Sequence, residues 1–197
     1  MKSRLLQLWL VARWPLGVLL FLYVGLVLYR IPAVGEKQKT ATAVAYIHAQ
    51  KITLADAVGE HLPPMPDVEV NNRTVAGIDV NQNGIRDDVE IAIFKAYPNS
   101  PQIRAAELQS AMVQQMFLTQ VFNTETWKAA AQEDSRSDAC IGLTTKDFKT
   151  YMSRTNEVKD LVFNTEIRKK QEKYSYSFTT SYGSLQDSPC DIDTSEL

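Results

Sequence analysis

The sequence predicts a mainly α-helical protein: an N-terminal transmembrane helix, then a small helical bundle holding one ion-binding loop, with room for a short C-terminal strand. Three observations predict it. An apolar run from Trp14 to Tyr29 follows basic residues at Lys2, Arg4 and Arg13. Beyond it, apolar residues recur three and four positions apart in several segments, the spacing that lines one face of a helix. Strict alternation, the mark of a strand, occurs once, near the C-terminus.

The apolar run is broken only by Pro15, Gly17 and Gly25, and crossing a bilayer takes roughly 20 residues. Residues 5–12 are largely apolar as well, and Trp9, Trp14, Tyr23 and Tyr29 suit the membrane interfaces. Residues 1–13 are read as a cytoplasmic N-terminus and residues 14–31 as an uncleaved signal-anchor, oriented by the basic residues that precede the span. A cleaved signal peptide has the same outline, with Ala33-Val34-Gly35 as its small-residue site. Arg30 and Pro32, between the run and that site, favour the anchor. The chain then sits in a bacterial inner membrane with its C-terminal bulk in the periplasm.

Residues 32–66 are read as a stalk helix and a proline linker. From Thr40 to about Gly59, Ala41, Val44, Ala45, His48, Ile52 and Ala55 follow helical spacing, and His61-Leu62-Pro63 ends the run at the start of the proline cluster Pro63, Pro64 and Pro66. This segment either extends the membrane helix or packs on the domain. Residues 67–197 are of a length for one globular domain.

Residues 79–90 read Asp-Val-Asn-Gln-Asn-Gly-Ile-Arg-Asp-Asp-Val-Glu, which fits the twelve-residue calcium loop at each position the chemistry constrains. A hard cation needs several oxygen ligands converging from a short stretch of backbone, and alternate residues of a tight loop supply them. Asp79, Asn81 and Asn83 stand at positions one, three and five. Gly84 stands at position six, where the chain turns sharply. Ile85 would offer its carbonyl, Asp87 would act directly or through water, and Glu90 would close the site. Position eight is Arg86 where an aliphatic residue is usual, which argues against pairing with a second loop. The segment before the loop, residues 71–78, is a poor helix, so a turn or short strand should lead into the loop and a helix should leave it. Asp191, Asp193 and Ser195 in the acidic tail lack the glycine a second loop would need. A simpler alternative has Asp87 and Glu90 cap the following helix while the asparagines and Gly84 make a turn; it leaves Asp79, Asn81 and Asn83 at alternate positions unexplained.

Residues 77–90 resemble the isolated EF-hand-like, dockerin-type calcium loops of exported bacterial proteins. With Leu62-Pro-Pro-Met-Pro-Asp67 added, the stretch also resembles a loose group of uncharacterised envelope proteins of Gram-negative bacteria. The resemblance implies Ca²⁺ and export, and no activity. Extracytoplasmic sites of this kind work at roughly 10⁻⁴ to 10⁻³ M, which suits a structural ion.

After the loop, Val89, Ala92, Ile93 and Ala96 form a stripe that Pro98 stops. Pro101 suits the first turn of a longer helix reaching about Ala131, with Leu108, Ala111, Met112, Met116, Phe117, Val121 and Phe122 on a wide apolar face. Such a face predicts a buried central helix. Met112, Met116 and Met152 could instead line an adaptable groove. Thr144 or Thr145 would cap a helix carrying Phe148, Tyr151 and Met152, and another helix would cover about Glu157 to Lys173. Tyr174, Tyr176, Phe178 and Tyr182 alternate with hydroxyl residues, as in an edge strand open to a partner or an arm packed on its own domain. The spacing of Phe163, Ile167, Tyr174 and Phe178 would also let the helix continue.

The two cysteines, Cys140 and Cys190, both follow the anchor, and a disulfide between them is the simple expectation; two free buried thiols is the alternative. No zinc-type Cys/His spacing exists. A net charge of −2 and a pI near 5.7, without a basic stripe interleaved with aromatics, give no case for nucleic acid. The basic cluster at Arg168, Lys169, Lys170 and Lys173 is offset by Glu166 and Glu172. The only histidines, His48 and His61, belong to no nucleophile or metal motif. The expected protein is not an enzyme but a membrane-anchored structural or interaction subunit, bound to a protein partner or a second copy, with one Ca²⁺ and one disulfide. A calcium-dependent envelope hydrolase and a soluble exported binding module are the alternatives.

Overall fold

A computed structural model describes residues 2–193 and 197, with side chains from Trp14 onward. The side chains of Lys2, Arg4 and Arg13, read as orienting the span, therefore lie outside the described residues. The chain divides into two compact units, Met1–Thr42 and Ala43–Leu197. The second unit begins well before the proline cluster, so residues 43–66 of the segment read as stalk and linker belong to it.

Helix α1 runs from Lys2 to Ala49 with Pro15 and Pro32 inside it. Its stretch from Trp14 is long and apolar enough to cross a membrane, a test that a signal sequence near an N-terminus also passes. Residues 14–39 are exposed. At the other end Ile47 is fully buried and packs in the core of the second unit. The helix predicted from Thr40 to Gly59 is divided: Thr53 and Asp56 form a capping box that starts α2 (Leu54–Val58) anew, and Gly59, at φ 81°, ends it. Asp67 caps the one-turn α3 (Val68–Asn71).

Helix α4 (Asp87–Ala96) leaves the loop with Asp87, Asp88 and Glu90 in its first turn, where carboxylates complement the helix dipole. Helix α5 (Pro101–Thr119) is the central helix. Every residue from Arg104 to Leu118 is buried, including Met112 and Met116, which pack as core. Burial of polar groups costs stability unless each finds a partner, and α5 uses several of them to hold other segments. Arg104 donates to the Ala57, Tyr97 and Pro98 carbonyls, Gln115 to the Ala76 carbonyl, and Gln109 to the Pro189 carbonyl. Glu107 pairs with Arg154.

The long helix expected to reach Ala131 ends at Thr119. Asn123 and Thr126 form a second capping box that begins α6 (Thr124–Leu143); Val121 and Phe122 keep the apolar spacing but lie in the turn. Thr144 and Thr145 do not cap the next helix. Their hydroxyls bond back to the Ile141 carbonyl, and Asp147 caps α7 (Phe148–Val162), which leaves Phe148 and Met152 exposed. Thr165 caps α8 (Glu166–Tyr176), so the helix expected over 157–173 is two. Among the described residues there is no strand. Tyr174 and Tyr176 are helical, and Tyr174 meets Phe178 one turn on with ring centroids 5.2 Å apart, so the aromatic spacing follows a helical and not an alternating pattern.

Candidate metal centre

The segment that leads into the loop is held from below by two fully buried arginines, Arg86 and Arg168. Arg168, on α8, donates to the carbonyls of Asn71, Thr74 and Val75 and to the side chains of Asn72 and Asn164. It folds residues 71–75 into a tight turn. Asn71, itself buried, accepts from the Ile78 amide at 2.8 Å. Between them Gly77 sits at φ 71°, and a Cβ there would lie 2.2 Å from Arg86 Cδ, so this position needs glycine on both counts. Arg86, the unusual residue at loop position eight, donates to the Leu161 and Val162 carbonyls at the end of α7 and pairs with Asp88. Its charge serves as a helix C-cap, where a paired loop would have placed a strand residue.

Inside the loop the backbone turns through Gln82 and Gly84, at φ 58° and 84°. Gly84 donates to Asp79 Oδ2 at 3.0 Å and Ile85 to Asn83 Oδ1 at 2.9 Å. Val80 donates to Asp87 Oδ1 at 2.9 Å, while the Asp87 amide donates to the Ile78 carbonyl at 2.9 Å, joining the two ends. Asn81 Nδ2 donates to Glu90 Oε2 at 3.1 Å, which links positions three and twelve. The Ile85 side chain is fully buried in the core and anchors the turn.

After these bonds, three buried oxygens have no partner: Asp79 Oδ1, Asn81 Oδ1 and Asp87 Oδ2. Each is an acceptor, and each belongs to a residue at a ligand position. A buried acceptor left unpaired costs stability, and a water, a donor group or a cation would each satisfy such an oxygen. Burial pushes the Asp79 and Asp87 carboxyls up, against the amides of Gly84 and Val80 that hold them down. Glu90, 1% exposed, is pushed up to about 7 by burial and then by Asp56 and Asp87. Like charges gathered out of water raise one another in this way, and a cation among them would reverse it. The set is mixed, with three carboxylates, two amides and a backbone carbonyl; among the described residues no three His, Cys, Asp or Glu side chains gather as a metal cluster.

Asp56, on α2, also faces the loop, where Asn83 Nδ2 donates to its Oδ1 at 3.3 Å. Its capping spacing from Thr53 is readable in sequence, but its place beside the loop is not. In the acidic tail, Asp191 is buried against Arg136, and Ser195 lies outside the described residues. Cys140 and Cys190 form a disulfide with Cα atoms 4.9 Å apart. Of the aromatics expected to face a partner, Tyr176 stacks on Phe117 at 5.3 Å, Tyr182 meets Trp127 edge-on at 5.8 Å and Phe178 packs on the second core cluster. These three rings thus have packing partners within their own domain, and Tyr174, Tyr176 and Tyr182 also remain partly exposed.

His48 is held at 2.8 Å by Glu133. An open cavity of about 710 Å³ lies between α7 and the Tyr97 turn, lined by Tyr97, Thr145, Lys149, Ser153, Arg154 and Glu157 among others, with no His or Cys. No protein-family model matches this chain, and neither a curated protein nor a solved structure is significantly similar to it.

Proposed function

We propose that this chain is a single-pass membrane-anchored protein of the bacterial envelope whose globular unit is a structural or interaction module stabilised by one Ca²⁺ in the loop Asp79–Glu90 and by the Cys140–Cys190 disulfide. The observation that carries the ion is the trio of buried, unpartnered oxygens on Asp79, Asn81 and Asp87. Hard oxygen donors of mixed charge suit Ca²⁺ better than softer metals. Bound there, the cation would supply positive charge to carboxyls that burial pushes up, and its binding would favour their ionised form. Asp79, Asn81, Asn83, Asp87 and Glu90, with the Ile85 carbonyl, would hold it. It would fix the start of α4, and through α4 the core around Ile93 and Leu108.

An anchor beyond the cytoplasm and a disulfide are consistent with one another, since disulfides persist in the periplasm and seldom in the cytosol. The helix from Trp14 supports the membrane, and an exposed Leu143, Phe148 and Met152 leaves apolar surface for another protein.

The test is thermal unfolding of the full-length, detergent-extracted protein with Ca²⁺, Mg²⁺ or chelator. Free Ca²⁺ at 100 times its Kd should stabilise by about 2.7 kcal/mol, and the double substitution D79A/E90A should abolish the response. A double mutant that still responds as the wild type does would remove the loop from the proposal. Mass determination of the same sample decides the anchor: an intact N-terminus supports it, and a chain trimmed near Gly35 makes the protein a released module.

A further inference from the structure

The cation site as read from sequence is confined to twelve residues, yet the structure brings a fourth carboxylate to it from elsewhere. Asp56 lies in the first turn of α2, and its two oxygens do different work. Oδ2 accepts from the Thr53 amide and hydroxyl, both at 2.7 Å, as the capping box requires. Oδ1 accepts from Asn83 Nδ2 at 3.3 Å, across to loop position five. Among the described residues no salt bridge neutralises Asp56.

A second strand of contact runs beside the first. Asn81 Nδ2, besides reaching Glu90, donates to the His61 carbonyl at 3.3 Å, so positions three and five both reach the segment 56–61. That segment is fixed from behind. Arg104 Nε donates to the Ala57 carbonyl at 3.0 Å, and Gly59 lies so close to the Phe94 ring of α4 that a Cβ would come within 2.7 Å of it. Asp56 is therefore set against the loop by packing and does not depend on its own flexibility. On the loop itself, Asp87 is fully buried and its Oδ2 has no hydrogen-bond partner.

We propose that Asp56 is an outer carboxylate of the cation site, positioning Asn83 and adding its charge, so that the bound ion ties α2 to the loop and α4. This rests on the calcium reading of the loop. Affinity in such sites follows the charge count and the rigidity of the groups around the ligands. The ion then clasps the segment that continues from α1, and not only the start of α4.

The experiment measures Ca²⁺ affinity of the full-length protein in detergent by competition with a chromophoric chelator, for wild type, D56N, D56E, T53V and E90Q. D56N keeps an acceptor for the capping box but loses the charge, and should bind about 10–100-fold more weakly. D56E keeps the charge and should bind within a few-fold of wild type; T53V breaks the capping box, leaves the carboxylate, and should do the same. Hydrogen exchange gives the second measurement: Ca²⁺ should slow exchange over residues 54–62 as well as over the loop, and in D56N over the loop alone. Wild-type affinity in D56N, with binding lost in E90Q, overturns the role of Asp56 and leaves the loop standing. Equal weakening in D56N and T53V makes Asp56 a helix cap only and overturns it too. Absence of binding in the wild type removes the loop reading and this one together.

Discussion

Arg86 and Arg168 carry charge into the interior, where backbone carbonyls accept from both, Asp88 pairs with Arg86 and the Asn72 and Asn164 side chains accept from Arg168. Among the described residues no carboxylate is bonded to Arg168; burial and the neighbouring Arg86 lower it to about 10, so it remains charged at neutral pH and relies on its carbonyl and amide acceptors. Removing it leaves those acceptors buried and unmet. Arg168→Met is expected to lower stability by about 3 kcal/mol or more, read from denaturant unfolding, because residues 71–75 lose their shape. Asp134 behaves in the opposite sense. Burial, and then Asp138, push it from 3.8 up to about 6. A carboxyl held above its unfolded value contributes stability fully present below that unfolded value and lost as pH rises through the folded one. Asp134→Asn keeps an acceptor for Gln114, whose Nε2 bonds Asp134. It should therefore be more stable than wild type at pH 8 by about 1–3 kcal/mol, with the difference gone at pH 3.5; an equal difference at both pH values would mean that packing, and not ionisation, sets it.

At the scale of elements, the C-terminal tail is held by more than its disulfide. Asp191, next to Cys190, accepts from the Ile52 amide at 3.1 Å, pairs with Arg136 and Lys51, and its own amide donates to Gln109 at 2.9 Å. Glu133 completes the cluster: burial raises it, but His48, Lys51 and Arg136 outweigh burial and hold its carboxyl below the usual range. The end of α1, α6 and the tail are thus joined in one buried ionic group. The disulfide closes a loop across a separation of 50 residues, which in the chain-entropy model is worth about 4 kcal/mol. The C140A/C190A variant should lose about that much in chemical unfolding. A loss well below it would show that the Asp191 contacts already restrain the tail in the unfolded ensemble or carry the restraint themselves.

At the scale of the whole molecule, the compact unit includes the last turn of α1. A chain beginning at Ala43 retains Ile47 and the His48–Glu133 contact; one beginning at Lys51 has neither. The first is expected to unfold cooperatively in solution without detergent, and the second to be less stable by about 2–5 kcal/mol, the usual range for emptying a buried Ile position. The full chain is expected to stay with membranes through alkaline carbonate washing. Release of the intact full chain by that wash would remove the transmembrane reading of residues 14–31.

The twelve-residue pattern behind the proposed cation loop is visible in sequence because it is local: Asp79, Asn81, Asn83, Gly84, Asp87 and Glu90 fall at fixed offsets, and no distant residue is needed to see them. The apolar run from Trp14 and the helical character of the rest were legible for the same reason, since hydrophobic period is a property of neighbouring residues. Helix ends were legible in principle, through Thr53–Asp56 and Asn123–Thr126, but an apolar spacing that continues across a turn, as at Val121 and Phe122, hides a break. The alternation at Tyr174–Tyr182 misled because aromatics at i and i+4, as Tyr174 and Phe178 are, satisfy a helix as readily as a strand. Only the tertiary structure decided that Arg86 caps α7, that Arg168 shapes the turn before the loop, and that Asp56 stands beside Asn83. These depend on which helices pack together, and that is fixed by the burial of α5 on all sides, a sum over the whole core that no single segment records.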